Sequence, residues 1–92
     1  MKNSTLRLEL EIESLKKDID IEIFFINDLK KLNEINKLKI IDPTISYANQ
    51  NKVMNQCSVN NIEIVVSEKK IIHLKAKIIT LENRIYQHKN LS

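Results

Sequence analysis

The sequence predicts an all-α protein, a long antiparallel helical hairpin of coiled-coil character that is expected to dimerise into a four-helix bundle. Three observations predict it. Between Ile64 and Leu91, Ile64, Ile71, Ile78 and Ile85 recur every seventh residue, with Ser67, Leu74, Leu81 and His88 three residues after each. That 3.5-residue repeat marks a helix pressing on another helix. An earlier stretch carries the same repeat, with Ile12, Ile19, Ile26, Asn33 and Ile40 in one row and Leu8, Leu15, Glu22, Leu29 and Asn36 in the other. Finally, the 92 residues include no Gly and a single Pro, which removes the residues that tight hairpins, bulges and phosphate-cradling loops depend on.

The first helix is expected over residues 5–41. A competing pattern runs through its beginning: Leu6, Leu8, Leu10 and Ile12, then Ile19, Ile21, Ile23 and Phe25, fall at every second position, with polar neighbours as far as Glu22. Period two is the signature of strands, and a β-hairpin over residues 5–26 would turn at Ser14–Lys17. That turn has no Gly, Asn or Asp at its centre, which disfavours a tight reversal, and the heptad argues for helix. From Asp28 onward Leu32, Ile35 and Leu38 leave the seam, so the helix either rotates against its partner or meets a third helix there.

Pro43 pushes the residue before it out of the α region, so a corner is expected at 42–51, with Asp42 as an N-cap and Pro43 in a first helical position. Residues 52–61 are Asn-rich and read as a weak helix or a linker. Asn60 followed by Glu63 resembles a capping box that would start a fresh turn. The last helix is expected over 62–90, fraying at His88–Asn90. It carries a third apolar row, Val65, Ile72, Ile79 and Tyr86. Its stripe is therefore wider than a two-stranded seam needs, and this excess motivates the doubling. The pairing seam consists of Leu8, Ile12, Leu15, Ile19, Ile26 and Leu29 on the first helix. On the last helix it consists of Ile64, Ile71, Leu74, Ile78, Leu81 and Ile85.

Charge order selects an alignment. The net charge of +3 hides an asymmetry: residues 1–28 carry −3 and residues 62–92 carry +3, with a further +3 between them. An antiparallel fold pairing Glu9 with Lys89, Lys16 with Glu82 and Lys30 with Glu68 on one flank opposes unlike charges. So does the other flank, with Glu11 against Arg84 and Asp18 against Lys77. This alignment sets Ile12 opposite Leu81, Leu15 opposite Ile78 and Leu29 opposite Ile64. A one-heptad slip, bringing Asn33 opposite Ser67, is the nearest rival. Asn33 and Asn36 in the seam are candidates for fixing register, although the Lys-, Ile- and Asn-rich composition fits A/T-rich codons and weakens any argument from Asn alone.

Chemistry finds few footholds. His73, His88 and Cys57 are not in metal-ligand spacing, and neither a nucleophile triad spacing nor a nucleotide-binding fingerprint is present. A non-enzymatic protein with no cofactor is expected. Lys70, Lys77 and Arg84, seven residues apart, are the candidate nucleic-acid contacts; the plainer reading makes them a solvated flank facing the acidic first helix. The longest apolar run in the N-terminal half, Ile23–Ile26, is too short to span a membrane. The first residues do not resemble a signal peptide. A single Cys fits an intracellular setting, cytoplasmic or nuclear. The expected function is assembly: a small coiled-coil subunit or adaptor that pairs with itself or with another helical protein. The alternatives are a small basic nucleic-acid-associated protein and a virus- or plasmid-encoded inhibitor of a host complex.

Overall fold

A computed structural model describes residues 2–91, with side chains from Thr5 to Asn90. It is a helical hairpin of two helices, α1 (Lys2–Ile40) and α2 (Tyr47–Leu91). Residues 5–26 lie inside α1, so the strand alternation there is overruled. A helix satisfies its backbone hydrogen bonds within the segment and sends Ile12, Ile19 and Ile26 to one face. The two helices pair in two compact units. The terminal unit joins α1 up to Glu22 with α2 from Lys69; the corner unit is Ile23–Glu68.

In the terminal unit Ile12, Ile19, Ile78 and Leu81 form a buried cluster, with Leu8, Leu15, Ile71, Leu74 and Ile85 packed against it. Burying one such side chain fully is worth about 1.5–3 kcal/mol, so this row is the main source of stability in the unit. Glu22 falls in the same seam and is half-buried. Its carboxylate reaches sideways to Lys70 Nζ at 3.9 Å, and the carboxylate and the ammonium thus meet beside the apolar row instead of within it.

In the corner unit Ile26, Leu29 and Ile64 are buried, and so are Asn33, Asn60 and Ser67. The three-and-four spacing of enclosed positions continues on α1 through Asn33, Asn36 and Ile40. On α2 it runs through Gln50, Val53, Cys57, Asn60, Ile64 and Ser67. The helix neither rotates at Asp28 nor meets a third helix among the described residues. The seam simply turns polar and leaves Leu32, Ile35 and Leu38 exposed.

The corner is shorter than expected and differently built. Residues 52–61 belong to α2, and Asn60 lies mid-helix; without Gly or Pro to break it, a segment of indifferent propensity stays helical once α1 covers one face. α1 ends at Ile40, just short of the residues Pro43 restricts. Asp42 does not cap α2. Its Oδ1 accepts from Thr44 Oγ1 at 2.7 Å and from Thr44 N at 2.9 Å, closing a tight turn, and Gln50 Nε2 donates to the Asp42 carbonyl at 3.0 Å. The side-chain and backbone hydrogen bonds from Thr44 hold the Asp42 carboxyl below its ordinary pKa. A depressed carboxyl stabilises the fold above its unfolded pKa, and that contribution fades as pH falls through the folded value. Ser46 is the N-cap, its Oγ accepting from Asn49 N at 3.3 Å. At the other end α2 runs on to Leu91, past the expected fraying at His88–Asn90.

Candidate assembly interface

Two kinds of surface concern function here: the seam that joins α1 to α2, and the apolar rows that this joining leaves uncovered. Of the seam positions read from sequence, Ile12, Ile19, Ile26, Leu29, Ile64, Ile78 and Leu81 are buried, and Leu8, Leu15, Ile71, Leu74 and Ile85 are half-buried. His88, which shares their spacing, is exposed.

Alignment in the corner unit is marked by a chain of side-chain amides. Gln56 Nε2 donates to Asn60 Oδ1, Asn60 Nδ2 donates to Asn33 Oδ1, and Asn33 Nδ2 donates to Asn61 Oδ1, each at 2.9 Å. Asn60 is 2% exposed and Asn33 7%, depths at which an unmatched amide would cost about 1–3 kcal/mol. Among the described residues no buried side-chain N or O lacks a partner. Asn33 thus sits opposite Asn60, as the charge-selected alignment requires, and not opposite Ser67. Sequence reading placed Asn33 in the seam but missed Gln56 and Asn61 and took Asn60 for a helix cap. The signal was the three-and-four spacing carried backwards from Ile64 through Asn60 and Cys57.

Four of the expected flanking ion pairs are not closed. Lys37 pairs with Glu34 at 3.3 Å within α1, and Lys70 pairs with Glu22 between the helices. Lys16–Glu82, Lys30–Glu68, Glu11–Arg84 and Asp18–Lys77 do not reach ion-pair distance. On one flank the reason is helical offset. Glu9, just past the Leu8–Ile85 layer, falls in the same interval as Glu82, and Lys16 likewise falls beside Lys75. Lys30 falls beside Asn61. Glu9, Lys16, Glu82 and Lys89 line one groove of the terminal unit together with Leu6 and Tyr86.

The candidate nucleic-acid residues lie along two adjoining grooves, with Lys77 in both. Lys70 is engaged with Glu22, Lys70 and Lys77 share a groove with Asp18 and Glu22, and Arg84 shares another with Glu11. Acidic side chains of α1 thus lie along the whole basic stripe and lower its potential towards phosphates. Among the described residues no group of His, Cys, Asp or Glu is placed to hold a metal ion, and no helix is long and apolar enough to cross a membrane.

The uncovered rows remain. In the terminal unit Ile72 is 66% exposed, Ile79 58% and Tyr86 68%. In the corner unit Phe24, Phe25, Leu32, Ile35, Val59 and Val66 are exposed. Single exposed apolar residues are ordinary, but rows at helical spacing are the mark of a contact surface. Comparison with protein-family models, with characterised protein sequences and with solved structures finds no match to this chain.

Proposed function

We propose that this chain is a non-enzymatic assembly module, a small intracellular coiled-coil subunit whose hairpin associates with a second helical hairpin, in the first instance its own copy, to complete a four-helix bundle. The observation that carries the reading is the set of apolar rows left exposed outside a seam that is already filled. A helix apolar on two faces buries both only when it has two neighbours. The mechanism is surface complementarity: burying these rows releases water from apolar area, and the polar residues between them set the orientation. Sedimentation at micromolar concentration is expected to give a dimer or larger species. A well-folded monomer that persists as concentration rises would overturn the self-association.

A further inference from the structure

We infer that the terminal unit joins a second copy of this chain through the outward side of α2, the two α2 helices lying antiparallel with Ala76 of each against Ile79 of the other. The inference rests on the self-association proposed above and names its surface. Ile72, Ala76, Ile79, Asn83 and Tyr86 are all exposed, and their spacing of four, three, four and three residues makes a second seam on α2, distinct from the one that meets α1. A small residue at 76 leaves room for a large one facing it, which a uniform row of Ile would not.

Orientation and alignment follow from the charges beside this seam. One flank carries Lys75 and then, seven residues on, Glu82; the other carries His73 and Thr80. In an antiparallel pair like flanks face each other. With Ala76 against Ile79 of the second copy, Lys75 faces the second copy's Glu82, and two-fold symmetry repeats the contact. A slip of one heptad in one direction sets Lys75 against Lys75, and in the other it sets Glu82 against Glu82. Parallel pairing would set Lys75 against the uncharged flank. Only one arrangement opposes unlike charges twice. Among the described residues neither Lys75 nor Glu82 has an ion-pair partner in its own hairpin.

The test is sedimentation of the full chain, with circular dichroism alongside to show that the hairpin is retained. Ile79→Lys changes an exposed residue and is expected to weaken the dimer on the order of 100-fold. Lys75→Glu and Glu82→Lys should each weaken it about tenfold. Mixing these two variants in equal amounts, or combining both changes in one chain, should restore association, because unlike charges again face each other. A dimer of undiminished strength in Ile79→Lys overturns this surface and leaves the assembly reading standing. Loss in the single charge variants without restoration overturns the antiparallel alignment. A wild-type chain that stays monomeric overturns both readings.

Discussion

Replacing Ile78 with Asp is expected to remove about 3–5 kcal/mol of stability, the largest effect of any single change considered for this chain. Ile78 is 8% exposed and belongs to the buried cluster with Ile12, Ile19 and Leu81. A carboxylate there would have no cation in reach, since the charged side chains of this unit lie on the flanks. Its options are to stay ionised without a partner, to take up a proton, or to force the helices apart, and each costs free energy. A domain of this size holds a net stability of about 5–15 kcal/mol, so the variant should lose a large fraction of it. Urea unfolding followed by circular dichroism reads the result as a fall in midpoint. A loss of stability of less than about 1 kcal/mol would mean that position 78 is not enclosed.

The second large effect concerns the amide chain. Asn60→Leu removes the donor to Asn33 Oδ1 and the acceptor of Gln56 Nε2, and is expected to cost about 1–3 kcal/mol for the amides left unmatched. Adding Asn33→Leu should recover most of that loss, because two facing apolar residues in a helix seam need no partner. What the double variant should lose is alignment. In a Cys57→Ser background, Leu15→Cys with Ile78→Cys should crosslink readily when Asn33 and Asn60 are intact. Leu15→Cys with Ile85→Cys, which reports a one-heptad slip, should not. With both Asn residues replaced by Leu, the second crosslink should begin to form. If it stays absent, the apolar layers and Glu22 fix the alignment without help from the amides.

The seam of the terminal unit was legible because its residues are aliphatic at strict spacing: Ile12, Leu15, Ile19, Leu74, Ile78 and Leu81 announce a helix pair by hydropathy alone. The corner unit was harder for a physical reason. Its enclosed positions include Asn33, Asn36, Gln50, Cys57, Asn60 and Ser67, and a periodicity made of amides and a thiol is invisible when only apolar residues are followed. The same blindness made residues 52–61 read as a possible linker and Asn60 as the start of a new turn. The residue opposite decides whether an Asn is a loop residue or a buried partner, and Asn60 acquires that meaning only once Asn33 faces it. The flank charges failed differently. Unlike signs occur along both flanks in the right order, but each residue falls in an interval set by the seam, and Lys30 falls beside Asn61 instead of Glu68. Exposed pairs of this kind are worth about 0–1 kcal/mol, too little to move helices that are positioned by buried Ile and Leu.

A seam whose composition changes along its length also distributes protection from solvent unevenly. Where Ile12, Ile19, Ile78 and Leu81 meet, an amide proton can reach water only if the buried cluster comes apart, and its hydrogen exchange should report global unfolding. Around Asn33, Asn36 and Cys57 the groups that separate are amides and a thiol, which water solvates well, so opening there forfeits little apolar burial. Backbone amides in those turns should exchange through smaller, local fluctuations, and the half-buried Cys57 thiol should become reactive on the same timescale. The same amides that define the alignment in the closed state thus lower the free energy of leaving it.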